Sequence, residues 1–213
     1  MAFERRREKL LTSDQIAIIV HRLAIEIAAD FNERTKDADE TDPFAKCLML
    51  LCVLESDRTF AQELQVELYN LGVPTQFEVV KVSSYGDSTV PNGPPVITID
   101  PELAKRIAGR DVLIAEDMID SGASLKALVK LIKSLDPKTV NVTVLLKKIR
   151  KACAIGLKPY VGIEIPNLWG DGHGVDTKGK NRELPDFWVE LLNEEEEALW
   201  LGFVNYVAQA LLA

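Results

Sequence analysis

Residues 112–125 constrain the fold of this chain more than any other part of the sequence. They begin with an apolar run typical of a buried strand, continue with the adjacent acids Glu116 and Asp117, and lead through an Asp-Ser-Gly-Ala-Ser loop at 120–124 into a helical pattern. A strand, a short loop and a helix in this order are part of a βα crossover unit. Since open parallel sheets bind ligands at the carboxyl ends of their strands, the acids and the loop lie where a ligand would bind.

Strand and helix patterns alternate along the rest of the chain. The continuous apolar runs that predict strands are residues 47–54, 77–82, 96–99, 111–115 and 139–146. The patterns that predict helices begin near residues 13, 57, 125 and 194. This alternation predicts one α/β domain over residues 1–213, with a mostly parallel central sheet flanked by helices. The glycine- and proline-rich stretch at about 160–190 breaks the alternation, and with the N-terminal segment it predicts a small hood subdomain.

The charge balance and the lengths of the apolar runs limit the partners of such a domain. The chain has 25 Lys and Arg against 33 Asp and Glu, a net charge of -8 at pH 7. An acidic surface repels phosphates, so we expect no nucleic-acid partner. The longest apolar run, residues 47–54, is too short to cross a bilayer, and the N-terminus does not resemble a signal peptide. Together with only 3 cysteines, these features predict a soluble, cytoplasmic protein without a membrane partner.

The loop at residues 120–124 has the composition of a phosphate-binding cradle. Backbone N–H groups at the start of a helix attract anions, and Gly122 allows the backbone to approach a ligand closely. Ser121 and Ser124 add hydroxyl donors, while Glu116 and Asp117 can accept hydrogen bonds from the hydroxyls of a ribose. These residues predict a site for a phosphorylated sugar. The alternative is an ordinary βα turn with an acidic rim, because short acidic loops often cap helices.

The same residues resemble the phosphoribosyl-pyrophosphate signature of type I phosphoribosyltransferases, most closely the branch that salvages hypoxanthine and guanine. The resemblance extends over roughly residues 10–190. It implies transfer of the 5-phosphoribosyl group from phosphoribosyl pyrophosphate to N9 of a 6-oxopurine, with Mg²⁺ as cofactor. It also implies that Asp120 is the general base. The residues that it assigns to the ribose and the 5′-phosphate are Glu116, Asp117, Ser121, Gly122, Ala123 and Ser124.

Three further residues match the purine site of that branch. Lys148 falls where the family has a lysine that reaches the exocyclic oxygen of the base, Trp169 where it has a stacked aromatic, and Gly170 where backbone groups meet the base edge. An indole is the largest stacking surface that a side chain offers, and a lysine favours an oxo group over the amino group of adenine. The alternatives are a core aromatic for Trp169 and a solvated strand-end lysine for Lys148.

The resemblance also places residues around the leaving pyrophosphate. Asp176 matches the family's metal-binding aspartate, and Arg182 matches its pyrophosphate-binding arginine. Ser84 and Tyr85 match the start of a flexible loop that closes over the reacting centre. The alternative interpretation is that Asp176 and Arg182, which carry opposite charges, form a surface salt bridge.

One segment departs from the family pattern. Where the family's pyrophosphate loop reads Leu-Lys-Gly-Gly or similar, this chain has Leu54, Glu55, Ser56 and Asp57, whose two acids would repel an anion. Ala123 also stands where many members have a lysine, although backbone amides provide most of the cradle. Because of the acidic loop, the alternative stays open that the protein is a non-catalytic, regulatory nucleotide-binding relative of the family. An RNA-binding regulator on the same fold conflicts with the net charge.

The sequence leaves two further properties open. It does not choose among hypoxanthine, guanine and xanthine. The usual assembly of the family leads us to expect a homodimer or homotetramer.

Overall fold

The computed structural model describes residues 3–39, 41–54, 58–83, 96–150 and 155–210. The strands are β1 (Arg6–Leu11), β2 (Leu48–Leu54), β3 (Thr75–Ser83), β4 (Val96–Thr98), β5 (Asp111–Ile119), β6 (Thr139–Lys148), β7 (Tyr160–Ile165), β8 (Trp169–Asp171) and β9 (Phe187–Leu191). The helices are α1 (Ser13–Thr35), α2 (Arg58–Asn70), α3 (Pro101–Ile107), α4 (Ala123–Lys133) and α5 (Glu194–Ala210).

The main sheet has six strands in the order β4-β3-β2-β5-β6-β7. All neighbouring pairs are parallel except β3 and β4, which confirms the predicted α/β fold with a mostly parallel sheet. The chain runs from β2 outward to β3 and β4 on one side, and from β5 outward to β6 and β7 on the other. The crevice beyond the carboxyl ends of β2 and β5 is therefore the topological switch point, where ligands of such sheets bind.

Helices cover both faces of this sheet, so its strands are apolar on both sides. On β5, Leu113 and Ala115 pack into the core that contains α1 and α2. Val112 and Ile114 pack into a second core with α3 and α4. Burial on both faces explains why the central strands read as continuous apolar runs.

The start of α1, the start of α3 and the end of β5 can each be compared with the local sequence. Thr12 and Gln15 form a reciprocal capping box that starts α1 at Ser13, in agreement with the helix predicted to begin near residue 13. Helix α3 was not predicted, although Asp100 caps it and Pro101 occupies its first turn, which are known start signals. Strand β5 continues to Ile119, two residues beyond Glu116 and Asp117, where the sequence predicted that it ends.

A second, antiparallel sheet has the order β1-β9-β8. It joins the N-terminal strand to two strands from the end of the chain, and its inner face contributes Leu11, Phe187 and Val189 to the core of α1 and α2. Strand β7, which begins at Tyr160, belongs to the main sheet instead. The assignment of the second sheet to a hood subdomain stays a prediction. In the described part of the chain, no helix combines the length and the apolar character needed to cross a membrane.

Candidate active site

Two acids lie near the carboxyl end of β5, at the switch point of the sheet. Glu116 is partly buried, and Asp117 is 6% exposed. Burial, followed by the charge of Asp117, raises the pKa of Glu116 to about 8. A carboxyl group with this pKa carries its proton at neutral pH until a ligand changes its surroundings.

Replacing Glu116 with glutamine should remove a pH-dependent destabilisation. The ordinary pKa of Glu is 4.5, and the pKa of Glu116 in the fold is about 8. Between these two pH values the unfolded chain loses the carboxyl proton, while the folded chain keeps it. The unfolding free energy therefore falls as pH rises through that window. Relative to wild type, Glu116→Gln should gain a few degrees in Tm at pH 8 but not at pH 4.5, since about 1 kcal/mol corresponds to about 2–4 °C in a domain of this size. Thermal unfolding at the two pH values measures the difference.

The matched control is Glu102→Gln, which changes an exposed glutamate on α3. The control should leave the pH dependence of Tm as in wild type. Parallel Tm curves for Glu116→Gln and wild type would contradict the buried-carboxyl interpretation.

The loop between β5 and α4 forms a small cavity against the helix N-terminus. Gly122 is the N-cap of α4 with a φ of 74°, a left-handed conformation that favours glycine, and no side chain caps the helix there. Glu116 and residues 118–125 line a space of about 110 Å³. A single water needs roughly 10–15 Å³ of such space, so the cavity has room for a group larger than one water. The geometry is that of the predicted cradle, whose ligand assignment stays a prediction.

Asp120 lies between two cations. Lys148 Nζ is 3.5 Å from Asp120 Oδ2, and Arg150 Nη1 donates to Asp120 Oδ1. Lys148 is only 5% exposed, so the interpretation as a solvated lysine is wrong. Sequence reasoning did not single out Arg150, whose contact with Asp120 joins two different strand ends.

Trp169 is open to solvent on the same side of the molecule as Lys148. The residue is 58% exposed, which makes the core-aromatic interpretation wrong. Lys148 Nζ lies 6.0 Å from the centroid of the Trp169 ring. The indole N–H of Trp169 donates to Thr177 Oγ1 at 3.1 Å. At Gly170, a Cβ would lie 2.5 Å from the carbonyl oxygen of Trp188, so packing of β8 on β9 demands glycine there. An exposed aromatic face next to a cation and a carboxylate can accommodate a flat, polar-edged base.

Asp176 and Arg182 form the ion pair that the alternative interpretation describes. Arg182 Nη2 is 2.7 Å from Asp176 Oδ1, and Arg182 Nη1 donates to the carbonyl of Gly174 at 3.2 Å. Asp176 Oδ2 accepts the N–H of Gly179. Both side chains are partly buried, so the structure brings the two residues together while their ligand roles stay predictions.

Several predicted site residues lie outside the described residues. These are Glu55, Ser84 and Tyr85, together with Ser56 and Asp57 of the acidic loop. Leu54 is the last residue of β2, and β2 pairs in parallel with β5. The acidic loop therefore starts at the same edge of the sheet as the cradle.

Comparison with known proteins shows the family of the chain. A family profile described as a phosphoribosyl transferase domain matches residues 7–178. The chain belongs to the phosphoribosyltransferase family. The family resemblance of the β5–α4 segment is thereby confirmed.

Relatives of this phosphoribosyltransferase include the hypoxanthine-guanine phosphoribosyltransferase of Mycobacterium bovis, which is 37% identical over 175 residues, covering 82% of this chain and 81% of the relative. The enzyme of the same name from Dictyostelium discoideum is 32% identical, covering 84% of this chain and 92% of its own. Among solved structures, hypoxanthine phosphoribosyltransferase from Trypanosoma cruzi in complex with the product IMP has a TM-score of 0.73 and 30% identity, covering 88% of this chain and 94% of that one.

Proposed function

We propose that this phosphoribosyltransferase acts in purine salvage. It transfers the 5-phosphoribosyl group from phosphoribosyl pyrophosphate to N9 of a 6-oxopurine and releases pyrophosphate and a nucleoside monophosphate. The observation that carries the proposal is the grouping of Asp120, Lys148 and exposed Trp169 beside the β5–α4 cradle. The relatives named hypoxanthine-guanine phosphoribosyltransferase support it.

The proposed mechanism relies on positioning and charge. The transition state resembles a ribosyl oxocarbenium ion, which needs no protein nucleophile, so the enzyme has to align the reactants and stabilise the leaving group. Glu116 and Asp117 orient the ribose hydroxyls, and residues 120–124 hold the 5′-phosphate. Trp169 stacks on the purine. Lys148 turns from Asp120 to the purine oxygen, which leaves Asp120 free to accept the proton of a ring nitrogen while Arg150 still holds its other oxygen.

The donor set near the pyrophosphate position fits Mg²⁺. This ion is usually held by one or two carboxylates together with substrate phosphates and water. Asp176 provides a carboxylate, and no cluster of three potential ligands occurs among the described residues, so substrate phosphates would supply the remaining oxygens. Bound there, Mg²⁺ would neutralise part of the pyrophosphate charge, and Arg182 would bind the same group through charge-assisted hydrogen bonds.

A purine panel tests the proposal. The protein is incubated with phosphoribosyl pyrophosphate, Mg²⁺ and each of hypoxanthine, guanine, xanthine and adenine, and the products are separated by chromatography. We expect the nucleotide of at least one 6-oxopurine, with little or none from adenine. Absence of product from all four bases would contradict an enzymatic role. The assembly as a homodimer or homotetramer and the cytoplasmic location also stay proposals.

The acidic loop favours a second candidate, a non-catalytic nucleotide-binding protein. Glu55 and Asp57 follow Leu54, the last residue of β2, in the sequence, and match the family's pyrophosphate loop. Two unit charges about 6 Å apart repel by about 3 kcal/mol at an effective dielectric near 20, before screening by salt. Even a fraction of this energy would weaken pyrophosphate binding several-fold.

The double change Glu55→Lys with Asp57→Gly restores the family pattern and tests this repulsion. We expect the KM for phosphoribosyl pyrophosphate and the Kd for pyrophosphate to fall several-fold, with a larger effect at low salt, because screening weakens at low ionic strength. Calorimetry and initial rates at two salt concentrations measure the change. Glu33→Lys with Asp37→Gly, two exposed changes near the end of α1 and just beyond it, alters the net charge by the same +3 and is the control. Unchanged affinity at low salt would mean that the acids do not face the ligand.

A further inference from the structure

Residues 172–174 form a left-handed backbone segment whose middle residue is not glycine. The φ angles of Gly172, His173 and Gly174 are 104°, 50° and 95°. Residues other than glycine seldom adopt such angles, and when they do the surrounding contacts hold them there. The side chain of His173 is therefore the place to look for those contacts.

The imidazole of His173 is buried and paired at both ring nitrogens. The residue is 6% exposed. Its Nδ1 lies 3.2 Å from the carbonyl oxygen of Pro185, and its Nε2 lies 3.1 Å from Glu63 Oε2 on α2. Its backbone N–H donates to the carbonyl of Leu184 at 2.7 Å. His173 thus joins the residues around 184–185 to α2.

The two ring partners identify the protonation state. A carbonyl oxygen only accepts hydrogen bonds, and so does an ionised carboxylate, whereas neutral imidazole has a single N–H to donate. With Glu63 ionised, only the imidazolium form satisfies both Pro185 and Glu63. Burial alone would lower the pKa of His173, but the hydrogen bond and charge of Glu63, the Pro185 carbonyl and the charge of Asp117 on β5 outweigh it, so the pKa is raised.

This contact links the segment that carries Asp176 and Arg182 to helix α2. The backbone N–H of Gly174 donates to the carbonyl of Arg182 at 3.0 Å, which closes the 174–182 segment that carries Asp176. Helix α2 begins at Arg58, directly after the acidic loop. His173 therefore fixes the segment that carries Asp176 and Arg182 onto the helix that follows the loop.

We propose that His173, as an imidazolium bound to Glu63, is a positioning residue that holds Asp176 and Arg182 in place to bind the pyrophosphate group of the substrate. The inference rests on the proposed function. It assigns His173 no contact with substrate, and it predicts an effect on pyrophosphate binding rather than on the purine.

Two substitutions test this role, with a control of the same chemistry. His173→Asn keeps a residue that tolerates the left-handed backbone but removes the charge, and Glu63→Gln keeps a hydrogen-bonding group at the other partner. His21 and Glu67 form a more exposed pair 2.7 Å apart between α1 and the same helix α2, so His21→Asn is the matched control. We expect about a tenfold rise in the Kd of pyrophosphate and the KM of phosphoribosyl pyrophosphate in both test variants, a modest positioning effect. The purine KM, kcat and the His21→Asn control should stay within about twofold of wild type.

Two further measurements do not depend on turnover. Nitrogen NMR of wild type should show His173 with both ring nitrogens protonated at pH 7, and the Kd of pyrophosphate should rise with pH as His173 loses its proton. Unchanged pyrophosphate affinity in folded His173→Asn or Glu63→Gln, or a neutral His173 at pH 7, would overturn the inference. If wild type makes no nucleotide from any purine, the proposed function fails, while the NMR and pyrophosphate measurements still decide the role of His173.

Discussion

Replacing Asp120 with asparagine should lower kcat by roughly a hundredfold or more, because a positioned general base contributes about 10²–10⁴-fold to a rate. Asparagine preserves the size of the side chain and one oxygen but cannot take up the proton of the purine ring nitrogen. The KM for phosphoribosyl pyrophosphate should stay close to that of wild type, since backbone groups of residues 121–124 provide most of the proposed cradle. Initial rates with hypoxanthine and guanine measure both parameters.

Ser121→Ala is the control for this prediction. Ser121 adjoins Asp120 and lines the same cavity, but its proposed role is to bind the 5′-phosphate. Its loss should therefore raise the KM for phosphoribosyl pyrophosphate and change kcat far less than Asp120→Asn does. Unchanged turnover in Asp120→Asn would remove the general-base role.

The central strands of the main sheet could be predicted because they are buried on both faces and read as apolar runs. Strand β7 of that sheet was missed, because its residues were assigned to the hood. Strands β1, β8 and β9 also escaped prediction. Strand β1 begins with the exposed, charged Arg6 and Arg7, and β8 has only 3 residues. Both exist because they pair with β9, far along the chain from β1, and local patterns carry little signal for such pairing.

In the candidate site too, some contacts could be predicted from the sequence and others could not. The family motif located Asp120, and parallel strand order explains why Lys148, at the end of the neighbouring strand, lies close to it. The contact of His173 with Glu63 joins residues 110 positions apart and depends on how residues 172–174 turn. Its only sequence signal was a histidine between two glycines, which does not identify a partner.

Removal of the Lys148 side chain should reduce kcat/KM for 6-oxopurines by about 5–150-fold, the equivalent of about 1–3 kcal/mol for a polar group left without its partner. Lys148 is buried beside Trp169 and reaches Asp120, so Lys148→Ala removes the proposed donor to the purine oxygen. Adenine, which has an amino group at that position, gains nothing from the lysine. The preference for hypoxanthine over adenine should therefore shrink in the variant.

Lys147→Ala is the matched control, because Lys147 precedes Lys148 on β6 but pairs with Glu164 of the neighbouring strand, 2.7 Å away. Since successive side chains of a strand point to opposite faces, this lysine does not share the position of Lys148. Its loss should leave base preference unchanged. Binding of phosphoribosyl pyrophosphate, followed by calorimetry without a base, should be the same in wild type and both variants, because the purine oxygen is absent from that complex. If adenine proves the best substrate of the wild type, the lysine has another role and the 6-oxopurine assignment is wrong.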